Sequence, residues 1–210
     1  MEENVSLHQC AERLERRGFR CFVVQGVKEA ADLMRGLIQE INPESVSYGD
    51  SMTLVSTGIL DELRANPDIL FYDGFVPGMD RDKKWEIRRR GMTADLFLTG
   101  INAVSMEGSL HWLDMVGNRV APVAFGPRNV ILLAGANKLV ATAKDAQERI
   151  RLIAPMNAKR HEGFKTPCIH TGRCADCNSP NRLCNIHMSI VKCFPAGRIT
   201  VILMEENAGL

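Results

Sequence analysis

Apolar positions along this chain alternate between two rhythms. Over residues 6–17, Leu7, Cys10 and Leu14 share one helical face with charges opposite, and Gly18 supplies a stop. Residues 19–24 form a short apolar run with β-branched members, which predicts a strand. Residues 29–41 place Ala30, Leu33, Met34, Leu37, Ile38 and Ile41 at helical spacing, closed by Asn42-Pro43. The same reasoning predicts a strand at 45–48, a helix at 54–63, a strand at 69–72 and a charged helix at 81–90. Beyond these come a strand at 95–99, a hairpin joining 103–106 to 110–113, and strands at 120–125 and 129–133. A helix at 143–153 carries Ala146, Ile150 and Ile153 on one face, and an apolar strand closes the pattern at 199–204. Residues 161–185 show no period; Gly, Pro, Cys and polar residues dominate there.

Strands alternating with helices predict βαβ units, hence an α/β fold whose mainly parallel sheet has helices on both faces. The length of 210 residues fits a single domain over 1–210, with 160–185 as an irregular, Cys-rich insertion lying on the sheet. A chain of this size buries enough surface to fold without a disulfide staple. With 45% hydrophobic and 24% charged residues the composition is that of an ordinary globular protein, and no apolar stretch is long enough for a membrane span. The formal net charge of +1 argues against a broad electrostatic nucleic-acid binder. Met1-Glu2-Glu3-Asn4 offers neither a basic nor an apolar leader region, so the expected location is cytoplasmic.

Cysteine usage changes the picture. Of seven cysteines, Cys10 and Cys21 read as small buried hydrophobes, while Cys168, Cys174, Cys177, Cys184 and Cys193 crowd the end of the chain. An odd count in a cytosolic chain does not suggest disulfides. Cys168, Cys174, Cys177 and Cys184 include one CxxC and supply enough thiolates for tetrahedral zinc or an iron–sulfur cluster. Their spacing matches neither ferredoxin pattern nor a zinc ribbon, and reduced thiols that ligate nothing are the competing reading.

Three other places could carry chemistry. Gly49-Asp50-Ser51-Met52-Thr53 is a strand-to-helix junction in which Gly49, Ser51 and Thr53 offer a tight turn, hydroxyls and amides to an anion; an ordinary helix cap explains the same residues. Gly100-Ile101-Asn102 ends an apolar strand, where α/β folds open their ligand crevice. Glu107, in the turn that follows, is a candidate nucleophile or general base, or else a solvated hairpin tip. Arg119 and Lys138, each beside Gly and Asn, could clamp a phosphate or carboxylate, or sit as surface charge at turns.

Taken in order, residues 49–53, 95–104, Glu107-Gly108-Ser109-Leu110, Gly117-Asn118-Arg119, 126–130 and Gly135-Ala136-Asn137-Lys138 resemble the LUD domain of bacterial lactate-utilisation proteins. The tail over 167–185 is similar to the cysteine-rich ending of a single-domain branch of that family. The resemblance implies membership in a superfamily with ribose-5-phosphate isomerase, glucosamine-6-phosphate deaminase, CoA transferases and initiation-factor regulatory subunits. It therefore implies an isomerase/CoA-transferase-like sheet with a ligand crevice at strand C-termini, and an anion site built from Gly49, Ser51, Thr53, Asn102, Arg119 and Lys138. Asn102 stands where the sugar-phosphate enzymes carry an acid, and an amide cannot act as base. Glu107 lies near the position of the CoA-transferase glutamate.

By this resemblance the chain takes part in oxidising lactate or a related organic acid. It would bind a small anion, and an iron–sulfur cluster or zinc at the four cysteines. Its partners would be a small anionic metabolite, iron–sulfur redox proteins and, for a homo-oligomer, a second copy of itself. Two other readings stand beside it. One is a transferase or isomerase-like enzyme acting on a phosphorylated or CoA-linked metabolite through Glu107. The other is a metabolite-sensing module with structural zinc.

Overall fold

Short apolar runs flanked by helices can bury both faces only in a parallel sheet, and six of them do so here. The computed structural model describes residues 2–161 and 163–210, with side chains from Leu7 onward. Met1 and Glu162, and with the latter one residue of the expected irregular span, lie outside the described residues.

The first half runs α1 (Glu2–Arg16), β1 (Arg20–Val24), α2 (Val27–Ile41), β2 (Ser45–Tyr48), α3 (Met52–Val55), α4 (Ile59–Ala65), β3 (Leu70–Tyr72) and α5 (Arg81–Arg90). The second half runs β4 (Leu96–Gly100), β5 (Ala103–Ser105), β6 (Ser109–Asp114), α6 (Val120–Ala124), β7 (Asn129–Gly135), β8 (Leu139–Val140), α7 (Ala143–Arg160), α8 (Pro167–Thr171), β9 (Ile186–Ile190) and β10 (Ile199–Met204). The main sheet has the order β1-β10-β7-β4-β2-β3, with every neighbour pair parallel. Its central strands β4 and β10 are buried throughout, as two covered faces demand.

One face packs Phe97, Val130, Leu132 and Val201 against Leu7, Cys10 and Leu14 of α1 and against Trp112 of β6. The other packs Leu96, Leu98, Ile131 and Ile202 against Met34 and Leu37 of α2 and Leu60 and Leu63 of α4. Cys10 and Cys21 lie in the first of these layers, where burial pushes both thiols up to about 12.

Several expectations are corrected. Residues 120–125 form helix α6 with irregular flanks rather than a strand: Pro122 has no N–H for a ladder, and the Ala121 and Phe125 N–H groups donate to Gly117 and Ala121 carbonyls. The helix expected at 54–63 is split into α3 and α4 by Gly58, whose φ of 73° lies in the left-handed region. Helix α7 continues through Pro155 to Arg160 from a capping box of Thr142 and Asp145. The hairpin β5–β6 belongs to a second, four-stranded sheet ordered β8-β5-β6-β9, of which β8 and β9 were not foreseen.

The irregular segment contains the short helix α8 and rests on α7, not on the main sheet; Cys168 and Leu183 pack against Ala158.

Candidate functional site

Gly49 follows β2, Gly100 ends β4 and Gly135 ends β7, three adjacent strands. Their carboxyl ends open onto a crevice of about 810 Å³. Two glycines make its floor possible. A Cβ at Gly49 would meet Arg119 Cγ, and a Cβ at Gly100 would strike Ser51 Oγ. Ser51 is the N-cap of α3, its Oγ accepting the Leu54 N–H at 3.2 Å, so the cap reading of this residue holds.

The crevice is lined by Ser51, Thr53, Asn102, Arg119 and Lys138, five of the six residues expected at an anion site; Gly49 sits behind Arg119. Asn102 uses its side-chain oxygen to accept the Leu113 N–H at 3.1 Å, which leaves its NH₂ as the donor for a ligand. Arg119 is held rather than loose. Its Nη2 donates to the Leu113 carbonyl at 2.5 Å and its Nε lies 3.5 Å from Asp114 Oδ2. Asp114 is almost fully buried and also accepts N–H bonds from Met115, Val116, Gly117 and Arg119. One carboxylate thus folds the whole loop that carries the guanidinium.

Lys138 is the most constrained cation. It is 4% exposed, and its Nζ donates to Thr53 Oγ1 at 2.6 Å, while Thr53 Oγ1 donates to the Ala208 carbonyl at 3.1 Å. No carboxylate among the described residues pairs with it, and Arg149 and Arg119 stand nearby. Burial first, then these two guanidinium groups, lower its pKa to about 7.

Arg81, Trp85 and Arg88, at successive turns of α5, form another wall, and Arg160 and His161 close the end of α7. These were missed from sequence. Helix α5 buries nothing, so no apolar stripe shows which face turns inward. Arg88 lies over the Phe75 ring at 4.1 Å and donates to the Gly74 carbonyl at 3.1 Å. Arg160 stands 3.6 Å from Asp50, and burial lowers the pKa of His161. Arg81, Arg88, Arg119 and Arg160 therefore face the side-chain carboxylates of Asp50 and Asp114, with Lys138 adding charge below about pH 7, a balance that favours an anion.

Glu107 is not brought to the crevice. It is exposed at the β5–β6 turn, its Oε2 accepts the Ala143 N–H at 3.0 Å at the start of α7, and the adjoining Gly108 abuts the Arg13 backbone of α1. The strand leaving Gly100 turns into the second sheet and carries Glu107 away.

Cys168, Cys174, Cys177 and Cys184 line one small cavity of about 20 Å³ together with Arg182, whose Nη1 donates to the Cys177 carbonyl at 2.6 Å. Burial and the other three thiols push Cys184 up to about 11. Among the described residues no three His, Cys, Asp or Glu side chains are already arranged to hold a metal ion. Cys193 lies apart in the core layer beneath α1. Leu183, Cys184 and Ala154 line both the cysteine cavity and the crevice, so a single wall separates the two.

The sequence matches the family model of the LUD domain over residues 7–204. The fold is similar to the crystal structure of a DUF162 family protein from Deinococcus radiodurans, with a TM-score of 0.54 at 14% identity, covering 97% of this chain and 98% of that one. No match was found among curated proteins. No helix among the described residues is long and apolar enough to cross a membrane.

Proposed function

The chain belongs to the LUD domain family, and on that premise we propose that it binds a small organic anion in the crevice and an iron–sulfur cluster at Cys168, Cys174, Cys177 and Cys184, as one component of lactate or related organic-acid oxidation in the cytoplasm. The observation that carries this reading is the wall shared through Leu183 and Cys184: an anion and a redox centre would lie side by side.

The donor set suits the group, since four thiols around one cavity are what a cluster or zinc requires. Residues 173–185 lack helix and strand, so ligation can draw the sulfurs inward without breaking the sheet. When bound, the cluster supplies one-electron transfer beside the crevice. The chain's own residues do the rest: Arg119 supplies a fixed positive charge, Lys138 adds one when protonated, the Asn102 NH₂ orients a polar group, and Trp85 and Phe164 limit water. The alternative with Glu107 as reactive carboxylate has no support in a residue that faces away from the crevice.

The test is metal and sulfide analysis of protein purified without oxygen. Iron with inorganic sulfide is expected, lost in Cys177→Ser with the fold intact by circular dichroism. Stoichiometric zinc would make the cysteines structural instead, and protein with neither metal overturns the assignment.

A further inference from the structure

Burying an ammonium group without a carboxylate is costly, and proteins resolve the cost by letting the group lose its proton or by supplying an anion. Lys138 is in that position, and the groups around it narrow its role. Thr53 on α3 accepts one N–H, Arg149 on α7 and Arg119 before α6 are its charged neighbours, and the Gly209 backbone covers it from the chain's end. Arg149 is itself committed, donating to the Asn137 carbonyl at 2.8 Å and the Asn102 carbonyl at 2.6 Å. A lysine beside fixed cations in a desolvated pocket keeps an unprotonated, nucleophilic amine near neutral pH. The same crevice offers Arg119 for an anionic group and the Asn102 NH₂ for a carbonyl oxygen.

We propose that Lys138 is a reactive amine that condenses reversibly with the carbonyl of a short compound bearing a carboxylate or phosphate, which Arg119 holds beside it. The Nζ lone pair attacks the carbonyl carbon, a C–N bond forms, the C=O π pair moves to oxygen, and oxygen takes up a proton as nitrogen gives one up to solvent. The hydroxyl of the resulting carbinolamine takes up a second proton and leaves as water as the C–O bond breaks, the nitrogen lone pair forms the C=N bond, and nitrogen gives up its remaining proton to leave a neutral imine. Amine and carbonyl become imine and water, with no change of oxidation state. This chemistry rests on the anion-binding half of the reading above and is independent of the cysteines.

The experiment is borohydride trapping on the full chain, followed by mass spectrometry of the intact protein and of its peptides. Pyruvate and glyoxylate test the carboxylate arm, and glycolaldehyde phosphate tests the phosphate arm. One reduced adduct per chain, mapping to Lys138 and not to exposed Lys28, Lys83 or Lys144, is expected from at least one arm. The trapping rate should rise as pH is raised through about 7, whereas simple anion binding should weaken over the same range. Lys138→Arg should abolish the adduct while keeping a cation in place. Calorimetry with lactate and inorganic phosphate, which have no carbonyl, separates the two claims. Binding of either without trapping overturns the imine alone; absence of all binding overturns the anion crevice as well. An adduct spread over surface lysines, or one that survives in Lys138→Arg, also overturns the proposal.

Discussion

At the scale of single residues, Lys138 gives stability a pH dependence that starts near neutrality. Its pKa is about 7 in the folded chain and roughly 10.4 once unfolded. Between those values the unfolded chain binds the extra proton, so stability rises with pH across that window. Below about 7 both states are protonated and the full burial penalty is felt, roughly 4–5 kcal/mol. Lys138→Met removes the charge and keeps the length. The variant should therefore be more stable than the parent near pH 7, with the gap closing towards pH 10, in urea titrations at both pH values. Parallel stability curves at all pH values would show that Lys138 is not carrying an unpaired charge. The identity of this residue was legible as Gly-Ala-Asn-Lys after a strand, but its burial was not, because the Thr53 and Ala208 contacts come from distant parts of the chain. Glu107 shows the converse. Its sequence position left a reactive carboxylate and a solvated hairpin tip both open, and only the turn of β5 into a second sheet shows an exposed carboxylate that accepts the Ala143 N–H at the start of α7.

At the scale of elements, α5 is unusual in burying no side chain, although it spans Arg81–Arg90 and is capped by Asp80. Its adhesion depends on Arg88 over Phe75 and on the Gly74 carbonyl, so it contributes little to the core. Arg81 and Trp85 then have scope to serve a ligand. Trp85→Ala should shift the melting temperature by less than about 2 °C, since Trp85 is only half-buried and stands outside the core layers, where truncation costs about 0.5 kcal/mol or less. Arg81→Ala should weaken anion binding by about threefold to tenfold, with the loss shrinking at high salt. A Trp85 fluorescence titration of the parent reads the same binding event. An unchanged anion affinity in Arg81→Ala would remove α5 from the site. Element by element, the strands of the main sheet were legible as short apolar runs and α2 as a clean helical period, whereas the break at Gly58 between α3 and α4 was not. Helix α6 was not, because Val120 and Val123 have a strand's composition and only Pro122 argues against it. Strand β8 escaped because two residues carry no period, whereas β9 does alternate apolar Ile186, Met188 and Ile190 with polar His187 and Ser189, a short signal overshadowed by the irregular Cys-rich run before it.

At the scale of the molecule, the parallel sheet gathers three strand ends into one crevice, while α7 and the segment after it place the four cysteines just beyond its rim. Cys184 and Leu183 line both cavities, so ligation at the cysteines would act directly on the crevice wall. Thiolates drawn to one point, with metal–sulfur bonds near 2.3 Å, require residues 173–185 to contract, and Leu183 moves with Cys184. Any free energy by which loading alters anion binding must return as an equal effect of the anion on metal affinity. A coupling of about 1–3 kcal/mol, or roughly fivefold to 150-fold, is the expected range for two sites that share a moving wall. Anion titrations of anaerobic metal-loaded and metal-free protein measure one side, and metal competition against a chelator with and without anion measures the other. Equal factors in both directions are expected, and Cys184→Ser should reduce both together. Identical anion affinity in the loaded and metal-free protein would mean that the shared wall transmits nothing, and that the crevice and the cysteines work independently.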